Sequence, residues 1–525
     1  DGARIGLAPD AGLRVRVGET IYTGRCFTPE ITELTPTRAT IRLSSRRAEL
    51  PLTLLVRMTT DDSAELAFDV ELTHHGKDAL AVETCLPALR GFAIDQIAPT
   101  RLFFPQYRAV DTDQHVALRA PYGVEFSGQF MDIYNRAAGV GLMVRTDNPQ
   151  QDMATFTLRK DDRGVSGGVC FPAEHNTLAA GERRAYPRVS LIAHNGDWHT
   201  AFRLYRDWLR RWYSPYKSQN KEVFLKAWDL TCYRPSVDIS WSDGHIPPPL
   251  SADRSRWFID EIFAFETEHL GHVPDLVHFF NWTHNDRLHR NEYGAVGTDL
   301  AYDQVGGLEV FRSGIARIQD HWKRPLSLYT LPDRFRLSAL PDQALAAALA
   351  AAARHKVIDD DASAALRGAG QPDGIVFPQI GDERWVEYAV KDIAQMQSDT
   401  GCTCVYLDVF PYFSHLPCQD GSTTLSASLH MAKAMREALP DDVVFWSEYA
   451  LTDVASQFAD GCHHYYFLDL NETFARPYNR TDRAPDVFMD MPMTLQRFTL
   501  PRYRLVDLPA YIEAGNCPSQ IDAAF

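Results

Sequence analysis

The sequence predicts a multidomain β plus α/β chain, a β-sandwich followed by a (β/α)8-type barrel, and three observations carry that expectation. The length of 525 residues exceeds the roughly 250–300 residues at which a single hydrophobic core stops growing. From residue 6 to about 191, short segments alternate apolar and polar residues between turn residues, the period of antiparallel sheet. Beyond residue 221, apolar strand-like runs alternate with amphipathic helical stretches, the texture of a parallel sheet buried on both faces.

The alternation is plainest over 39–43, 52–58 and 65–72. With no long helical period nearby, such strands have to bury their apolar faces against another sheet. The sandwich is assigned to 1–193, a helical linker to 194–220 and the barrel to 221–525. In the linker Asp197 is placed to cap a helix whose Trp198, Ala201, Phe202, Tyr205, Trp208, Leu209 and Trp212 recur at three- and four-residue steps. That aromatic face is expected to pack between domains.

Barrel strands are expected at 223–230, 276–282, 326–331, 404–410, 443–447 and 464–468, with helices at 252–269, 307–322, 384–398 and 424–438. An Ala-rich stretch (344–354) and a polar run (359–374) read as an insertion between the third and fourth strands. A seventh strand is expected near 493–500 and no eighth is placed before Phe525, so an incomplete or irregular barrel stays open, as does an open doubly wound sheet.

The formal charge of −16 argues against nucleic acid or an anionic membrane as partner, since both call for clustered Lys and Arg. Apolar runs such as 275–282 and 405–410 fall far short of the about 18 residues that span a bilayer. The nine cysteines show neither a C-x-x-C pair nor zinc-ligand spacing, so most are expected as buried thiols, with one or two disulfides open if the protein is exported. The chain opens at Asp1 without Met or a signal stretch, which is compatible with a removed leader or a trimmed sequence. Secreted, periplasmic and cytoplasmic locations therefore all stay open, and so does the oligomeric state.

In a parallel barrel the carboxyl ends of the strands share one mouth. The fourth strand closes on Asp408 and the fifth on Glu448. Neighbouring strands lie about 4.8 Å apart, so the two carboxyl groups are able to approach about 5–5.5 Å, the spacing of retaining glycoside hydrolases. In that chemistry one is the nucleophile and the other the acid/base. Salt bridging to basic neighbours is the bland alternative. Trp228, Trp282, Tyr329, Tyr412, Phe413, Trp446 and Tyr449 flank the same strand ends, where flat rings can stack on the C–H faces of sugars. Asp229, His284, Asp286, Asp333 and Asp469 are polar strand-end or loop residues that can hold hydroxyls, although Asp and Asn favour turns and caps regardless of function. The expected substrate-binding set is thus Trp228, Asp229, Trp282, His284, Asp286, Tyr329, Tyr412 and Asp469. His278, His463 and His464 do not form a metal motif, and nucleotide-binding fingerprints are absent, so no metal and no cofactor are expected.

The run from Val405 through Asp408 and Cys418 to Trp446-Ser-Glu448, preceded by the Asp197–Trp208 helix segment, resembles bacterial glycoside-hydrolase-like proteins of uncharacterised function. More distantly it is similar to the endo-α-N-acetylgalactosaminidases and the α-amylase superfamily. The resemblance implies a galactose-mutarotase-like β-sandwich ahead of the barrel, an Asp nucleophile on the fourth strand (Asp408) and a Glu acid/base on the fifth (Glu448). It implies an oligo- or polysaccharide substrate with α-linked sugars. Tyr406 departs from the α-amylase pattern, which has an Arg at that place. Two alternatives remain: an α-galactosidase-like enzyme with Asp469 on the sixth strand as acid, and a noncatalytic carbohydrate-binding protein.

Overall fold

Alternating side chains of an extended chain point to opposite faces, so a half-buried strand needs an apolar partner on one face only. The segments Leu52–Thr60 and Glu65–His74 show the result: Leu54 faces Leu72, Val56 faces Val70 and Met58 faces Phe68 across an antiparallel pair. Repeated along the first 195 residues, such pairing builds one antiparallel sheet of ten strands and one of seven. Leu13 and Val15 from the seven-stranded sheet share a core with Leu54, Val56, Val70 and Leu72 from the ten-stranded one.

The computed structural model describes residues 5–6, 12–61, 63–105, 109–123, 128–211, 221–226, 230–233, 250–279, 282, 302, 305–336, 340, 342–352, 375–408, 410–411, 418, 423–448, 451–464, 499–500 and 503–507. Two compact units divide the chain, one built mainly of Asp1–Tyr213 and the other mainly of Ser214–Arg480.

The Trp198–Leu209 helix starts where Asp197 accepts a hydrogen bond from the His199 backbone N–H. Its aromatic face is occupied by the ten-stranded sheet of its own unit. Trp198 stacks on Phe103 at 4.6 Å, Tyr205 stacks on Phe130 at 4.5 Å, and the Arg145 guanidinium lies 4.6 Å above the Trp208 ring. Within the first unit these residues pack on their own sheet, where Phe103 and Phe130 offer a matching aromatic surface. Trp212 lies outside the described residues.

Among the described residues the second unit is organised on seven parallel strands: Leu230–Tyr233, Leu276–Phe279, Leu326–Thr330, Cys404–Leu407, Val444–Ser447, Gly461–His464 and Arg504–Asp507. They pair in chain order without a reversal. Between them run the helices Ile259–Leu270, Leu308–Ala316, Glu383–Thr400 and Thr424–Ala438. The last two are capped locally. Asp382 caps the third, which ends at Gly401 in the left-handed region (φ 68°). Thr423 and Ser426 form a reciprocal capping box on the fourth. No helix among the described residues is long and apolar enough to cross a membrane.

Two expected strands shift. The first is not at 223–230: Lys221–Lys226 is a short helix and the strand follows at Leu230–Tyr233. Phe224 anchors that helix, packed with Leu276 and Trp446, while Lys221, Glu222, Leu225 and Lys226 are ordinary helix formers. The sixth strand begins earlier, at Gly461, and a seventh strand is formed by Arg504–Asp507; of the expected 493–500, residues 493–498 lie outside the described residues. The Ala-rich stretch is a helix, Gln343–Ala351, whose first N–H groups are capped by Asp342. The polar run that follows lies outside the described residues.

Candidate active site

The fourth and fifth parallel strands are in register, Tyr406 opposite Trp446 and Leu407 opposite Ser447. The ladder runs one step further: the Asp408 N–H donates to the Thr330 carbonyl at 2.8 Å, and the Glu448 N–H donates to Leu407 at 2.9 Å. Asp408 and Glu448 are thus lateral neighbours at the carboxyl ends of adjacent strands. By strand alternation Asp408 shares a face with Tyr406, Glu448 with Trp446, and the adjacent third strand adds Tyr329 to that face. Tyr329, Tyr406 and Trp446 pack in one cluster with Cys404 and Val444, forming an aromatic floor beneath the two carboxylates.

This floor is polar at chosen points. The Tyr329 hydroxyl makes a short hydrogen bond to Asp408 Oδ2. The Tyr406 hydroxyl donates to Asp408 Oδ1 at 3.3 Å. Each oxygen of one carboxylate is therefore met by a different phenol. One layer down, Trp446 Nε1 donates to Ser327 Oγ at 2.8 Å, and the same oxygen lies 3.1 Å from His278 Nδ1. Burial pushes the His278 imidazole down to about 3, so it is a neutral packing group rather than a cation near physiological pH.

Burial is the largest influence on Asp408 and pushes its carboxyl well above the usual range; the neighbouring Glu448 charge pushes the same way, while the Tyr329 hydrogen bond pulls back. Asp333 and Arg334 sit beside this group. The Arg334 guanidinium grips Asp333 with two bonds, 2.7 Å and 3.0 Å, and lies 4.9 Å above the Phe377 ring. Its proximity to Asp408 opposes the rise in the Asp408 pKa, whereas Asp333 adds to it.

Among the residues expected at the site, Asp408, Glu448 and Tyr329 come together. Tyr329 contributes its hydroxyl rather than an open ring face, being only 4% exposed. Trp282 is 2% exposed, its indole N–H donates to the Tyr329 carbonyl at 2.8 Å, and its ring packs in a mutual trio with Tyr302 and Phe311, 5.8 Å from each, those two being 6.0 Å apart. In this structure Trp282 packs. Trp228, Asp229, His284, Asp286, Tyr412, Phe413, Tyr449 and Asp469 lie outside the described residues. Among the described residues no three His, Cys, Asp or Glu side chains gather in a way that would hold a metal ion.

Sequence reasoning passed over Tyr406 and Arg334 as members of the site. The signal was present for Tyr406: a phenol two residues before a strand-end carboxylate shares its face. For Arg334 it was absent, because the residue follows the third strand in a turn and its contact is tertiary.

No protein-family profile matches the chain, and no curated protein sequence does. Solved structures do match. The α-N-acetylgalactosaminidase NagBb from Bifidobacterium bifidum, as a quadruple mutant, superposes with a TM-score of 0.62 at 13% identity, covering 96% of this chain and 80% of that one. Its GalNAc complex gives 0.61 at 14% identity, with 95% and 79% covered. The GH36 α-galactosidase AgaA from Geobacillus stearothermophilus gives 0.47 at 11% identity, with 85% and 61% covered. At 13–14% identity the likeness to NagBb is one of fold, and that fold is a glycoside-hydrolase-like one.

Proposed function

We propose that this chain is a retaining glycoside hydrolase acting on α-linked sugars of an oligo- or polysaccharide, with Asp408 as nucleophile and Glu448 as acid/base. The observation that carries the reading is the pairing of Asp408 with Glu448 on one face, at the carboxyl ends of adjacent parallel strands. Chain-order parallel pairing and the likeness in fold to NagBb support reading the second unit as a (β/α)8-type barrel. The two antiparallel sheets that share a core support reading the first as a galactose-mutarotase-like sandwich, with the division at 1–193, 194–220 and 221–525 proposed on the same grounds.

In the proposed reaction an Asp408 oxygen attacks the anomeric carbon while Glu448 protonates the leaving oxygen; Glu448 then deprotonates the water that hydrolyses the glycosyl ester. Asp408 has to be ionised at the start and Glu448 protonated. Tyr329 and Tyr406 orient the nucleophile by holding one oxygen each. The Oδ1 bond is a loose 3.3 Å, so Oδ1 is the oxygen more readily released to attack.

Aryl α-N-acetylgalactosaminide and aryl α-galactoside are the first substrates to test, followed by α-linked oligosaccharides. Asp408→Asn is expected to lose nearly all turnover, since an amide cannot form the ester. Glu448→Gln is expected to fail on natural glycans yet keep more activity on activated aryl glycosides, which need little acid help, and azide should restore rate to Glu448→Ala. First-formed product of inverted configuration, observed by NMR, would overturn the retaining assignment. Full activity of both Asp408→Asn and Glu448→Gln would overturn the pair.

A further inference from the structure

The first unit carries a row of reactive side chains that the glycosidase reading does not use. Three adjacent antiparallel strands, Gly12–Val17, Glu83–Ile94 and Gly164–Phe171, place Arg14 opposite Cys85 and Cys85 opposite Cys170. Residues in lateral register share a face of the sheet. The row is therefore guanidinium, thiol, thiol, and both sulfurs are almost fully covered, at 1% and 2% exposure.

The two cysteines are not equivalent. Arg14 Nη2 donates to Cys170 Sγ at 3.0 Å, and Thr157 Oγ1 lies 3.8 Å from the same sulfur. The Cys85 thiol hydrogen-bonds to Cys170 as well, which with the Arg14 charge lowers the Cys170 thiol against the effect of burial, while Cys85 is pushed well above its ordinary value. Glu83 Oε1, 3.3 Å from Arg14 Nη2, tethers the guanidinium in place. The guanidinium contact thus favours the charged form of Cys170 over that of Cys85. Gly168 leaves room beside them: a Cβ there would stand 3.1 Å from Cys85 Sγ.

We propose that Cys85 and Cys170 form a covalent redox site, joined as a cross-strand disulfide at the expense of a low-molecular-weight disulfide such as oxidised glutathione. Directly opposed residues of an antiparallel pair have Cα atoms about 4.5–5.5 Å apart, inside the about 4.4–6.8 Å that disulfides span, and Cys85 is paired with Cys170 just beyond a register shift in the ladder. The Cys170 thiolate attacks one sulfur of oxidised glutathione, forming a mixed disulfide and releasing one glutathione thiolate. Cys85 then gives its proton to solvent and attacks the Cys170 sulfur, releasing the second. Two protein thiols are oxidised and one glutathione disulfide is reduced. Because the sulfurs are covered, exchange proceeds during folding or through local opening of these strands.

The test uses the full chain, refolded from denaturant in glutathione buffers of rising oxidised fraction, quenched with acid, alkylated and mapped as non-reduced peptides. The expected result is a Cys85–Cys170 linked peptide, two hydrogens lighter than the sum of its parts, while Cys402, Cys404 and Cys462 stay alkylated. Cys85→Ser should trap glutathione on Cys170, and Cys170→Ser should trap far less on Cys85. Arg14→Met should slow linkage near neutral pH by roughly tenfold, with recovery at higher pH, as expected when a thiolate loses its cation. Complete alkylation of both cysteines after refolding in the most oxidising buffer would overturn the site, and equal trapping in the two serine variants would overturn the order of attack.

Discussion

Tyr329→Phe removes one oxygen from the floor of the candidate site and nothing else. The ring keeps its place in the cluster with Tyr406 and Trp446, and the lost group is the donor to Asp408 Oδ2. A hydrogen bond to a charged acceptor contributes about 1.5–3 kcal/mol. At about 1.4 kcal/mol per pKa unit, the ionisation of Asp408 should move up by about 1–2 units. The sign follows from which form the phenol favours: it stabilises the carboxylate, so its loss favours the neutral acid, on top of the rise that burial and Glu448 already cause. A nucleophile must be ionised, so activity is present above the Asp408 pKa and lost as pH falls through it. The acid limb of kcat/KM, measured with an aryl glycoside, should therefore shift upward by about 1–2 pH units in Tyr329→Phe, and less in Tyr406→Phe, whose bond is 3.3 Å. An acid limb that stays in place while the rate falls evenly at all pH values would refute the link between Tyr329 and Asp408. An alkaline limb that moves up instead would make Asp408 the proton donor and exchange the two roles.

Two further outcomes follow from neighbours of the same group. Arg334→Gln leaves the buried Asp333 carboxylate without its two-point partner, which should cost about 3–5 kcal/mol, visible as a lower midpoint of thermal unfolding, and should also raise the acid limb because a cation near Asp408 is lost; unchanged stability would show that Asp333 is relieved some other way. Trp282→Phe removes the indole donor from the Tyr329 carbonyl, at about 1 kcal/mol of stability with KM unaffected, whereas a tenfold rise in KM at unchanged stability would restore Trp282 as a sugar platform.

How much of this was legible in the sequence depended on whether the signal was local. Period-two alternation over 52–58 and 65–72 predicted paired strands, and the structure pairs Leu54 with Leu72 and Val56 with Val70. Asp197 announced its helix and caps it. The helix over 424–438 was readable because Thr423 and the apolar spacing both lie within one segment. What was not readable was tertiary. The aromatic stripe of Trp198, Phe202 and Tyr205 is the same pattern whether it meets another domain or its own sheet, and Phe103 and Phe130 are far off in sequence. The apolar run from 223 looked like a strand because Val223, Phe224 and Leu225 are consecutive; the burial of Phe224 against Trp446, with Val223 left exposed, shows an anchor that suits a helix turn. At the site, strand ends were legible as carboxylates on neighbouring strands. That Tyr329 would give a hydroxyl rather than a ring face, and that Trp282 would be buried in a trio with Tyr302 and Phe311, depended on atoms placed by other elements.

The floor beneath Asp408 also bears on why a tyrosine stands at position 406. A cation two residues before the carboxylate would share its face and hold it ionised, lowering its basicity. A phenol orients the carboxylate without neutralising it. Arg334, the cation that approaches Asp408, is already gripped by Asp333 through two hydrogen bonds, so the pair brings little net positive charge, and Glu448 adds negative charge when ionised. Asp408 is thus held by neutral donors in surroundings that disfavour its charge, which costs folding stability whenever the carboxylate is ionised. On the proposed reaction that cost has a use: charge leaves Asp408 as the bond to the anomeric carbon forms, so surroundings that penalise the carboxylate favour the step that disperses it. The two tyrosines then set a limit on the penalty: each donates to one oxygen of Asp408, which keeps the carboxylate aimed and favours its charged form without neutralising it.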